Sequence, residues 1–145
     1  MTISDGGDSM YKYSRDEETW DQLTEAGLEF LVERAQTPGE TSYEDLNNAL
    51  TQRTGLPGFD FGRADERAAI GYLLGLIVER TYPETELMIS ALVTHKGGTD
   101  PGGGFYALAT QLGLLRPNAS KSEKDAFWVD QYIRVQELYS RADRP

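Results

Sequence analysis

The sequence predicts a mainly α fold with one short β-hairpin, and three observations carry that expectation. Apolar residues recur at helical spacing in five stretches, most of them bounded by a capping or stop signal. Only one run, Leu87 to Val93, is short, apolar and rich enough in branched residues to read as a buried strand. Directly after it, Thr94 to Gly104 holds five glycines in eleven residues, a composition that lets the chain turn through conformations closed to other residues. The chain has 145 residues. A chain of that size folds as one domain and buries roughly 68–70% of its unfolded surface.

Met1 to Ser14 shows no periodicity and is read as a flexible acidic tail, with Tyr11 and Tyr13 available to pin its end. The domain then runs over 15–141. Ser14-Arg15-Asp16-Glu17 reads as a capping box, and Trp20, Leu23, Gly27, Phe30 and Leu31 follow on one helical face until Thr37-Pro38-Gly39 stops the helix. Ser42-Tyr43-Glu44-Asp45 caps a second, shorter helix that Gly55-Leu56-Pro57-Gly58 ends. The rings of Phe59 and Phe61 in the following loop are expected to anchor in the core.

From Ala64 to Arg80 the stripe Ile70, Leu73, Leu74, Ile77 is broad enough for a central helix, which Tyr82-Pro83 is expected to terminate. Gly71 and Gly75 lie on that helix, each costing about 1 kcal/mol relative to alanine, so a tight helix crossing is expected there. Phe105 to Leu112 forms a short helix closed by Gly113. Ser120-Lys121-Ser122-Glu123 opens a last helix with Trp128, Tyr132, Val135 and Tyr139 on one stripe.

Composition narrows function. There is no cysteine, which removes disulfides, thiolate nucleophiles and cysteine-rich metal sites and fits a reducing compartment. No apolar run is long enough to span a bilayer, and Met1 to Ser9 lacks the apolar stretch of a signal sequence, so a cytoplasmic protein without membrane contact is expected. The net charge is −10, which opposes nonspecific attraction to nucleic acid. That charge is uneven: residues 1–46 carry twelve acids against three bases, while the remainder is close to neutral.

No complete catalytic set is visible. His95 is the sole histidine, so two-histidine metal motifs are absent, and a serine–histidine arrangement would need Ser42 or Ser90 to meet it in space. The glycine-rich segment lacks the order of a P-loop, because Lys96 precedes the glycines, and no βαβ unit surrounds it. It is read as a structural or recognition hairpin, with no cofactor. Glu25, Glu29 and Glu33 fall four apart on the first helix and form a charged ridge. Such a ridge is either a solvated face or a docking surface for a basic partner.

Taken in order, residues 41–106 form a helix, helix, glycine-rich hairpin series, the order of a winged helix. This stretch resembles the DNA-binding part of the O6-alkylguanine alkyltransferase and alkyltransferase-like family. Thr41-Ser42-Tyr43-Glu44-Asp45-Leu46 is similar to that family's Thr-Tyr-Gly-Glu-Ile-Ala helix opening. Arg67-Ala68-Ala69-Ile70-Gly71 is similar to Arg-Ala-Val-Gly on its recognition helix, with the arginine displaced by one residue. Val93-Thr94-His95-Lys96 stands where the family has Pro-Cys-His-Arg, before a wing that closes at Gly103-Gly104-Phe105.

Thr94 replaces the alkyl-accepting cysteine, so the resemblance implies duplex contact without alkyl transfer. Tyr43 matches a tyrosine that the family turns against a nucleotide phosphate, and His95 matches the histidine beside the cysteine. Arg63, Arg67, Lys96 and Lys121 are the cations available to touch phosphate or base. The sequence therefore predicts a non-catalytic winged-helix-like recognition module with duplex nucleic acid as first candidate ligand. The alternative is an acidic module that binds a basic protein through Glu25, Glu29 and Glu33.

Overall fold

A computed structural model describes residues 12–95 and 100–142, with the side chains of 141 and 142 left aside. The first helix, α1 (Glu17–Ala35), starts where Asp16 accepts a hydrogen bond from the Thr19 amide at 2.8 Å. The cap is thus Asp16, not Ser14, because Tyr13 and Ser14 take left-handed conformations (φ 52° and 63°) that fold Lys12 back against Arg15. That turn holds residues 12–14 on the body. Trp20 Nε1 donates to the Lys12 carbonyl at 2.9 Å, and the Tyr13 ring meets Trp20 and Tyr72. The tail expected over 1–14 is therefore packed at its last three residues, and the rest of it lies outside the described residues.

Strand β1 (Thr41–Ser42) leads into α2 (Tyr43–Thr54), which is capped by the Ser42 hydroxyl and closed by Gly55 at φ 73°. Asn47 on α2 clamps the next loop by bonding both the amide and the carbonyl of Phe59. Phe59 is buried beside Trp20, with the Arg15 guanidinium 4.2 Å over its ring. Phe61 is half-buried.

Helix α3 (Ala64–Thr85) runs past the expected stop and contains Pro83. Proline tolerates this place because it falls in the last turn, where one lost bond does not break the helix, and Glu86 then caps it in a left-handed conformation at φ 56°. The core face of α3, Ile70, Leu73 and Ile77, packs on α1. The close helix approach occurs at Gly27 of α1, where an added Cβ would stand 2.8 Å from Ile77 Cδ1. It does not occur at Gly71 and Gly75, where an added Cβ meets nothing within 4 Å.

The apolar run expected as a strand is a 3-10 turn, Ile89–Leu92, followed by a two-residue strand, β2 (Val93–Thr94). All four turn residues are buried, and α5 (Lys121–Ala142) supplies their polar partners. Gln131 Oε1 accepts from the Met88 amide and Trp128 Nε1 donates to the Ala91 carbonyl, both at 2.8 Å. Backbone satisfied by side chains needs no neighbouring strand, and a short apolar run carries no periodicity to reveal this beforehand.

The chain is mainly helical, with one two-stranded sheet among the described residues, as expected in class. Its two strands are parallel, however, pairing Thr41 with Val93 and Ser42 with Thr94 across the whole of α2 and α3, so they are not the arms of a hairpin. Helix α4 (Gly103–Gln111) follows the glycine-rich segment and ends before Gly113 at φ 80°. Ser120 and Glu123 form the expected capping box of α5, each bonding the other's backbone amide. A second, smaller apolar cluster of Val78, Met88, Ala91, Phe105, Ala109 and Trp128 joins α3, α4 and α5. No described helix is long and apolar enough to cross a membrane.

Candidate functional site

The two turns of chain nearest the parallel strands build one cleft. Ser42 caps α2 and places Tyr43 in its first turn, while β2 delivers His95 immediately after Thr94. The strands pair, so Tyr43 and His95 emerge side by side with ring centres 5.0 Å apart and planes inclined at 32°. The Tyr43 hydroxyl donates to the Pro101 carbonyl, and the His95 amide donates to the Asp100 carbonyl at 3.0 Å. Burial and then the Asp100 carboxylate push the Tyr43 phenol up to about 12, so it remains a neutral donor and acceptor at physiological pH.

These contacts seat the start of α4 against α2. Gly102 is at φ 93°, and a Cβ there would meet the Tyr43 hydroxyl at 3.3 Å and His95 Nε2 at 3.4 Å, so both the conformation and the space favour glycine. From this corner a cleft of about 700 Å³ extends between α3 and α4, a volume in the range of small-molecule sites. Along α3 it runs from Arg67 to Glu79, about 18 Å at 1.5 Å per residue. Gly71 and Gly75 on α3 and the exposed Gly103 and Gly104 on α4 line it, and an added Cβ at any of the four meets nothing within 4 Å among the described residues. Ser90 reaches the same cavity from the 3-10 turn.

The residues expected to meet nucleic acid divide into three groups. Tyr43, Arg67 and His95 come together on this cleft. Arg67 is exposed, donates to the Phe61 carbonyl at 2.7 Å, and makes no ion pair among the described residues. Arg63 and Lys121 do not line it: Arg63 is tied to Asp65 at 2.7 Å, and Lys121 to Asp125 at 3.1 Å. Lys96 lies outside the described residues.

The acidic ridge of α1 is partly neutralised within the chain. Arg80 reaches Glu25 at 2.9 Å and Asp21 at 3.6 Å, and Arg53 forms a two-point pair with Glu33. That pairing holds the Glu33 carboxyl below its usual range. Glu29 makes no ion pair among the described residues and borders a shallower depression with Glu25 and Arg53.

Sequence reasoning found Tyr43, Arg67 and His95 through the motifs that hold them. It did not place Ser90, Gly71, Gly75, Gly103 and Gly104 on the wall of the same cleft. The available signal was the pair of glycines in the middle of α3, which carries a helix penalty wherever no neighbouring backbone requires it. Compared with protein-family models, characterised proteins and solved structures, the chain matches none of them.

Proposed function

We propose that the chain is a non-catalytic recognition module that meets duplex nucleic acid at the mouth of the cleft, through Tyr43, Arg67 and His95. The observation that supports this reading is their convergence: a guanidinium with no ion pair among the described residues, a neutral phenol and an imidazole open on one concavity. Arg67 can donate to phosphate, the exposed His95 ring can bond a base edge, and the Tyr43 oxygen, its hydrogen held by Pro101, can accept. The other cations are largely held by carboxylates of the same chain, among them Arg15 by Glu66, Arg63 by Asp65, Arg80 by Glu25 and Arg116 by Glu123. The electrostatic footprint on a duplex is accordingly small.

That limited footprint makes the reading quantitative. With one phosphate neutralised by Arg67, a fourfold rise in salt lowers affinity only about three- to fourfold. Fluorescence anisotropy with short duplexes at two salt concentrations measures this, and Arg67→Ala is expected to reduce both affinity and salt dependence. Absence of binding at the lower salt concentration would overturn the proposal. The acidic-partner reading has less support, since Arg53 and Arg80 already answer two of its three glutamates.

A further inference from the structure

We infer that the interior of the α3–α4 cleft is a binding site for a small, uncharged, ring-bearing molecule with a hydrogen-bonding polar group. This goes beyond duplex recognition, and because Tyr43 and Arg67 line the same cleft, the two are told apart by their probes, duplexes in one case and small amides in the other.

The first argument is the glycine carpet. Mid-helix glycine is unfavourable, and the fold offers no reason for it at Gly71 or Gly75: neither takes a special conformation, and an added Cβ touches nothing at either. Positions that break a local preference without a structural return are where binding surfaces are found. Gly103 and Gly104 repeat the pattern on the second helix that borders the cavity. Walls made of backbone are flat, and flat walls suit a planar ring, with Tyr43, Phe61 and Phe105 supplying aromatic surface around it.

The second argument is independent of the glycines. Ser90 is 4% exposed, lies on the cavity wall, and its hydroxyl makes no hydrogen bond with the described residues. A hydroxyl on a cavity wall is free to bond what enters the cavity. A carbonyl or amide of a bound molecule would complete it.

The third argument sets the charge. Glu44 and Glu79 border the cleft, and Arg67 is the sole guanidinium among its described lining residues. At the start of α4, the Gly102 amide already bonds the Asp100 carboxylate at 2.9 Å. Beyond Arg67, a carboxylate meets the charges of Glu44, Glu79 and Asp100, whereas an uncharged amide does not.

Matched probes test this on the full chain: indole-3-acetamide against indole-3-acetate, and benzamide against benzoate, followed by amide NMR resonances. The amides are expected to shift Ser90, Gly71, Gly75, Gly103 and Gly104 saturably, and each carboxylate to bind several-fold more weakly. The Gly71→Ala/Gly75→Ala variant is expected to melt higher than the wild type, by restoring helix propensity, yet to bind the amides about tenfold more weakly. Ser90→Ala is expected to keep the wild-type melting temperature and lose about three- to tenfold in affinity, the net worth of one hydrogen bond. The inference is overturned if neither amide moves these resonances at millimolar concentration, if the carboxylates bind as tightly, or if both variants bind like the wild type.

Discussion

The two faces of α3 are built on opposite terms. One face sets Ile70, Leu73 and Ile77 into the core, so tightly against α1 that Gly27 leaves no room for a methyl group beside Ile77. The other presents Gly71 and Gly75 to a cleft with no atom in reach of an added Cβ. Glycine thus serves close approach on α1 and vacancy on α3. The lesson is that a helical glycine reads the same in sequence whether its neighbours crowd it or leave it open.

This contrast gives an ordered set of expected effects. The largest is on the packed face: Ile77→Ala removes a fully buried side chain beside Gly27 and is expected to destabilise by roughly 2–5 kcal/mol in denaturant unfolding. Next comes the start of the same helix, where Arg15 bonds Glu66 at two points and the Glu66 side chain is 13% exposed. Hydrogen bonding from Arg15 lowers the Glu66 carboxyl below its ordinary 4.5. A group with a depressed folded value stabilises fully above the unfolded value and loses that contribution as pH falls through the folded one. Unfolding measured between neutral pH and acid is therefore expected to show a decline below about 4.5 that is shallower in Glu66→Gln. The smallest effect has the opposite sign: Gly75→Ala on the open face is expected to stabilise by up to about 1 kcal/mol. A destabilised Gly75→Ala would show that the open face is packed in solution and erase the contrast.

Much of the fold was legible in residues that act locally. Ser42, Gly55, Ser120 and Gly113 set helix ends through bonds and backbone conformations confined to one turn, and each does so where the sequence placed it. The stripes of α1, α3 and α5 were readable for the same reason, since a 3.6-residue period states which side is buried. Asp16 displaced Ser14 as a cap because the Lys12–Arg15 turn, held through Trp20, consumed Ser14. The candidate site was half legible: motifs pointed to Tyr43, Arg67 and His95, but nothing local linked them to Ser90 or to four open glycines.

The sequence alone determined which segments coil, where most of them stop, and that no cysteine or histidine-pair chemistry operates here. Tertiary structure decided the rest. It turned Ile89–Leu92, inside the run expected as a strand, into a 3-10 turn beside which Gln131 and Trp128 answer the backbone of Met88 and Ala91, and it paired β1 with β2 in parallel across two intervening helices. It also decided that Gly27 and Gly75, chemically identical, mean contact in one place and open space in the other. The physical reason is range: capping and periodicity act within a few residues, whereas backbone satisfaction and empty volume depend on groups brought together only by the folded chain.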